Sequence, residues 1–216
     1  MLVIETDVTD EAAARAMVER TVGEFGRLDT LVNNAGVMLL GPILDAPVEE
    51  WRRMVELNVL GLLYCTHAAL PHLLRGADRE PRHVADVVNV SSVAGRVARQ
   101  GNGVYSATKF ALNAVGKAAR VELKESGIHV LTVCPGYVRT DFGVHALRGG
   151  EKQQVRPSSV RGISPDRVAR AVLRGYLKQK REVVVPWTMH SVIKAYQLVP
   201  GLVEWVMEKL MARRKD

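Results

Sequence analysis

Three side chains in one stretch have the types and spacing for proton chemistry at an oxygen. Ser92 closes the run Val87-Val-Asn-Val-Ser-Ser92, and Tyr105 and Lys109 follow, four residues apart. On a helix that spacing puts the phenol and the ammonium on one face. A free phenol, with a pKa of about 10, is a poor acid or base near neutrality. A neighbouring ammonium favours the phenolate and is expected to lower that value. Tyr105 would then exchange a proton with an oxygen that becomes, or ceases to be, an alkoxide. Ser92 would donate a hydrogen bond to the same oxygen. This is the acid–base half of carbonyl/alcohol interconversion, and the other half requires a hydride carrier. A Tyr-x-x-x-Lys pair alone is weak evidence, since an exposed helical pair reads the same way; the surrounding elements decide.

The β-branched residues before Ser91 read as a buried strand. Ser92 therefore stands at a strand's carboxyl end, where open α/β sheets place ligands. After a loop with Gly101 and Gly103, an Ala-rich helix is expected from about Val104 to Glu125, stopped by Gly127. Upstream, residues 2–4 read as a short strand, and Thr9 as the N-cap of a helix reaching Phe25. Residues 28–32 form the next expected strand, leading into Asn33-Asn34-Ala35-Gly36. A helical pattern spans 47–74 with Asn58 and Gly61 inside it, and 77–82 is a charged loop. Residues 128–133 alternate as a strand ending at Pro135-Gly136. Residues 140–163 look irregular and read as a lid, a substrate loop or a disordered segment. Ser164 caps a helix to about Leu177, 182–185 is a last strand, and 189–216 is an amphipathic helix interrupted at Pro200-Gly201. Strand–helix alternation of this kind implies a parallel sheet covered on both faces.

Composition narrows the classes. The 216 residues are 47% hydrophobic and 25% charged, which suits a globular domain with a substantial core. The net charge of +7 favours anionic ligands and surfaces. The basic residues are dispersed except for Arg213-Arg214-Lys215, and only 5% of residues are aromatic, which argues against nucleic acid as a partner. Cys65 and Cys134 lie in apolar segments and read as buried thiols; no metal site is expected. The first residues lack the features of a signal peptide, and no charge-free apolar run of ~20 residues is evident, so the expected location is cytoplasmic.

The order of motifs resembles the short-chain dehydrogenase/reductase family. The likeness rests on Asp7-Val8, Asn33-Asn34-Ala35-Gly36, Asn58-x-x-Gly61, Ser91-Ser92 followed at the family's interval by Tyr105-x-x-x-Lys109, and Pro135-Gly136-x-Val138-x-Thr140. It implies a Rossmann-type, doubly wound parallel sheet sandwiched by helices, and an oxidoreductase using NAD or NADP on a small alcohol or ketone. It further implies that Tyr105 is the acid/base and Ser92 orients the carbonyl. Lys109 would lower the Tyr105 pKa and hold the nicotinamide ribose, and Asn58 would anchor a water in a proton relay. Asp7 and Val8 would contact adenine. Asn34, Ala35 and Gly36 would line the cofactor groove, and Pro135, Gly136, Val138 and Thr140 would hold the nicotinamide end.

One part of the family pattern is missing. No Thr-Gly-x-x-x-Gly-x-Gly loop occurs, and with it the first two strands of the family's 3-2-1-4-5-6-7 order are expected to be absent. The expected division is an incomplete dinucleotide-binding domain over 1–187 and a helical extension over 188–216. Val93, Ala94, Val97 and Ala98 hint at an apolar wall to the substrate site, interrupted by Arg96 and Arg99. The extension would pack on its own domain or on a second subunit; the alternative is peripheral membrane contact through an amphipathic helix. The family likeness suggests a homodimer or homotetramer built on the helices carrying Asn58 and Tyr105. The competing reading of the whole chain is a cofactor-free remnant serving as an interaction or membrane-peripheral module.

Overall fold

The computed structural model describes residues 1–43, 45–75, 85–143, 146–148 and 162–212. The elements run α1 (Glu11–Phe25), β1 (Thr30–Asn33), β2 (Leu39–Leu40), α2 (Val48–Val55), a π turn (Glu56–Leu60), α3 (Gly61–Arg75), β3 (Ala85–Val90), α4 (Gly103–Glu122), β4 (Ile128–Pro135), β5 (Leu147–Arg148), α5 (Pro165–Leu177), β6 (Glu182–Val185), α6 (Met189–Leu198) and α7 (Pro200–Ala212). The main sheet has the order β1-β3-β4-β6 with every pairing parallel, and β2 and β5 form a separate two-stranded piece.

Parity along the two central strands explains why both faces are covered. Successive strand residues point to opposite sides. Val87 and Val130 face a cluster with Val18 of α1 and with Ala69 and Leu73 of α3. Val88, Leu131 and Val133 face the other way, against Val172 and Tyr176 of α5. Near-continuous Val/Ile/Leu runs are what a strand buried on both faces requires. Gly116 and Gly175 let their helices approach closely: a Cβ would lie 2.7 Å from Thr132 Oγ1 at the first and 2.5 Å from Val183 Cγ2 at the second.

The sequence pattern needs correction at several points. Residues 2–4 form no strand, because a strand requires a neighbour to take its backbone hydrogen bonds; among the described residues β1 pairs only with β3. The cap of α1 is Asp10, not Thr9: its Oδ1 accepts from the Ala12 and Ala13 N–H groups at 2.8 and 3.3 Å, while Thr9 is bound to Asp7. Gly26 ends α1 at φ 73°, in the left-handed region open to glycine. The break in the tail falls at Val199, and Pro200 opens α7. The expected charged loop at 77–82 lies outside the described residues, as does most of 140–163.

The helical pattern from residue 47 is one continuous helix carrying an internal π turn. By length and composition Val48–Arg75 is apolar enough to cross a membrane, contrary to the expectation that no such run exists. Its inward stripe, with Ala69 and Leu73 fully buried, docks on the sheet as a core helix does.

Candidate active site

Ser92, Tyr105, Lys109 and Asn58 meet beyond the carboxyl ends of β1, β3 and β4. Ser92 leaves β3 in extended geometry and caps a 3-10 turn, Val93–Gly95, by accepting from the Ala94 N–H at 3.1 Å. That turn is pinned to α4. The Ser91 hydroxyl donates to the Lys109 carbonyl at 3.1 Å, and Asn113 Nδ2 donates to the Gly95 carbonyl at 2.7 Å. Gly95 is required there, since a Cβ would stand 2.5 Å from the Lys109 carbonyl oxygen. Ser92 Oγ reaches the Pro135 carbonyl at 3.4 Å, which ties the end of β3 to the end of β4.

Asn58 sits inside the π turn and is buried. Its Oδ1 accepts from the Val37 N–H at 2.8 Å, and its Nδ2 donates to the Val37 carbonyl at 2.9 Å and to Thr108 Oγ1 at 3.1 Å. Thr108 donates in turn to the Tyr105 carbonyl at 2.8 Å. The carboxamide thus joins the segment after Gly36 to the helix carrying Tyr105. π turns inside α-helices concentrate at functional sites. Asn33, by contrast, is structural: its Nδ2 bonds Asn89 Oδ1 at 2.9 Å and Thr66 Oγ1 at 3.0 Å.

Lys109 is 4% exposed, and its Nζ donates to the Val90 carbonyl at 3.1 Å. An ammonium has three donors, so two remain without a partner among the described residues. A Cβ on Gly36 would lie 3.6 Å from that Nζ and 3.0 Å from Asn58 Oδ1. Gly36 therefore stands close against Lys109 and Asn58, and the spare Lys109 donors suit the hydroxyls of a ribose.

The electrostatics differ from the expectation. Burial pushes the Tyr105 phenol up to about 12, opposed by a hydrogen bond with Ser92. The Lys109 ammonium lies 5.8 Å from the Tyr105 ring centroid, and burial holds it down to about 8 against the attraction of Cys134. Desolvation, not charge pairing, dominates both groups. At neutral pH the Tyr105 phenol carries its proton.

The outlying residues behave differently. Asn34 and Ala35 are exposed at the end of β1, and Pro135 is buried with Gly136 half-buried beside it. Thr140 is exposed and its Oγ1 accepts from the Phe142 N–H at 3.4 Å; the Phe142 ring lies 6.3 Å from that of Tyr105. Asp7 turns onto Thr9, whose N–H and hydroxyl hold its carboxyl below the usual range. Val8 packs against Gly61, 3.0 Å from where a Cβ would be. The expected apolar wall divides: Ala94 packs with Leu39 and Tyr105, whereas Val93 and Val97 point the other way, into a cluster with Ile193 and Met207 of the tail. Sequence reasoning passed over Thr108, Gly95 and Asn113. Their only signal is position, one residue before Lys109, three after Ser92 and four after Lys109.

A parallel sheet with this motif order and this Ser–Tyr–Lys–Asn cluster defines a dinucleotide-binding dehydrogenase fold. The chain belongs to the short-chain dehydrogenase family, whose model matches residues 1–148. It is similar to dehydrogenase/reductase SDR family member 7B of Bos taurus, at 31% identity over 211 residues, covering 96% of this chain and 62% of that protein. Among solved structures it resembles a short-chain dehydrogenase/reductase from Burkholderia phymatum in complex with NAD (TM-score 0.79, 20% identity, 92% of this chain and 75% of that one). It also resembles a 3-ketoacyl-(acyl-carrier-protein) reductase from Brucella melitensis complexed with NADH (TM-score 0.74, 26% identity, 85% and 76%). The chain spans about three fifths of the length of curated relatives it matches.

Proposed function

We propose that the protein is an NAD(P)-dependent oxidoreductase that interconverts a carbonyl and a secondary alcohol. The observation that carries this reading is the buried convergence of Tyr105, Lys109 and Asn58 beside Gly36, with two Lys109 donors to spare. When bound, the nicotinamide would supply the hydride. Ser92 orients the carbonyl oxygen by hydrogen bonding, and Tyr105, protonated at neutral pH, delivers the proton to that oxygen as it becomes an alkoxide. Lys109 holds the ribose, and Asn58 fixes the wall of the groove and the water of the relay. Asn34, Ala35 and Gly36 would line the cofactor groove, Pro135, Gly136, Val138 and Thr140 would hold the nicotinamide end, and Asp7 and Val8 would flank adenine.

The substrate is a small alcohol or ketone, and Phe142, 39% exposed with its ring 6.3 Å from that of Tyr105, is the apolar side chain beside the reacting group. The reading extends to a cytoplasmic location and to a homodimer or homotetramer built on α3 and α4. A thermal-shift titration with NADPH and NADH, followed by ketone reduction, tests it. A cofactor-dependent rise in melting temperature and turnover abolished in Tyr105→Phe are expected. A cooperative melt indifferent to both cofactors would refute it.

A further inference from the structure

α7 is apolar on two opposite sides. Met207 packs inward on the cluster of Val93, Val97 and Ile193. Glu204 and Glu208, on the same side, line a cleft of about 360 Å³ with Arg99 and Tyr196, and the Tyr196 hydroxyl donates to Glu204 Oε1 at 3.3 Å. Residues of an α-helix follow one another at roughly 100°, which gathers Leu202, Trp205, Val206 and Lys209 on the side away from that cleft. Leu202 is 59% exposed, Trp205 56% and Val206 39%, and Leu198 and Val199 just before the helix are exposed as well. An apolar stripe on a helix is normally covered by a partner surface. Among the described residues nothing covers this outer one.

We propose that the outer face of α7 seats the protein on an anionic membrane surface, with Leu202 and Trp205 in the interfacial layer and Lys209 at the headgroups. Charge favours this occupant. Both acidic side chains of the helix lie on the cleft side, Lys209 flanks the apolar stripe, and the sequence continues with Arg213-Arg214-Lys215-Asp216. Apolar and aromatic residues beside a basic stretch are the chemistry of interfacial helices, and anionic lipid attracts each such cation. A second copy of this chain fits less well at this face, because it would set Lys209 and the basic residues that follow it against their own like.

The test is sedimentation of the full chain with vesicles of phosphatidylcholine alone, or with roughly a third phosphatidylserine. Wild type is expected to sediment with the anionic vesicles, weakly with the neutral ones, and less in high salt. The double variant Leu202→Ser/Trp205→Ser, at exposed positions, is expected to partition roughly a hundredfold more weakly. Its far-ultraviolet melt and its cofactor-dependent thermal shift should match wild type, which separates loss of this face from failure of the oxidoreductase site. Absence of vesicle binding, or equal binding by the variant, would overturn the proposal. So would a dimer in analytical ultracentrifugation that the variant breaks without any vesicle binding, which would assign the face to a second copy.

Discussion

The two ends of the candidate cofactor groove are built on different principles. Around Ser92, Tyr105 and Lys109, backbone and side chains are tied across four elements: Ser91 to Lys109, Asn113 to Gly95, Ser92 to Pro135, and Asn58 to both Val37 and Thr108. At the Asp7–Val8 end the ties are local, one carboxyl turned onto Thr9 and one side chain resting on Gly61. A reacting centre must hold its groups to fractions of an ångström, and only over-determined packing does that. A groove wall that touches a ligand's far end has no such demand.

That contrast is open to direct attack. The largest effect is expected from Gly95→Val, which drives a side chain into the Lys109 carbonyl and should cost about 3 kcal/mol in urea unfolding, with loss of any ketone reduction. Thr108→Val keeps the shape but leaves Asn58 Nδ2 short of an acceptor, for about 2 kcal/mol; Thr108→Ser should restore most of it. Val8→Ala at the other end should cost under about 1 kcal/mol, and Asp7→Ala should leave the unfolding midpoint where it is. If Val8→Ala proves as damaging as Thr108→Val, the distinction between the two ends fails.

The buried pair also predicts a pH signature. Lys109 is held down to about 8 from 10.5, so between those values the unfolded chain binds a proton that the folded chain does not. Stability from this group therefore rises with pH across that window. Tyr105, raised from 10.0 to about 12, works oppositely: the folded chain keeps its proton, and stability falls as pH climbs from 10 to 12. Denaturant melts of Lys109→Met should lack the first slope and retain the second.

What could be read from sequence follows the same division. The β3 and β4 strands were legible because β-branched and apolar residues dominate both, with Asp86, Asn89 and Thr132 as the buried polar exceptions, and Ser92, Tyr105 and Lys109 because their chemistry fixes type and spacing together. Residues 2–4 misled because an apolar triplet carries no information about whether a partner strand lies beside it. Thr108 and Gly95 were invisible because a threonine in a helix and a glycine in a turn are ordinary until the opposing backbone is placed. The direction of the Tyr105 shift was missed for a related reason, since spacing reveals the ammonium but not the depth of burial that outweighs it. The split between Ala94 and Val97 likewise depends on how the 3-10 turn rotates.

The π turn at Glu56–Leu60 has one more consequence. Burial along this helix recurs at Met54, Asn58, Leu62, Cys65, Ala69 and Leu73. A regular helix starting from Met54 would complete the same number of turns about one residue earlier. The extra residue works as a phase shifter, letting Met54 face the cluster of Leu39 and Tyr105 while Ala69 and Leu73 face the main sheet. Deleting a single residue here would turn everything downstream by roughly 100°, swinging either Met54 or Leu73 out to solvent. The helix can thus exchange side chains freely on its outer face while being closed to any change in its count of residues, and Asn58 holds its place as much by arithmetic as by chemistry.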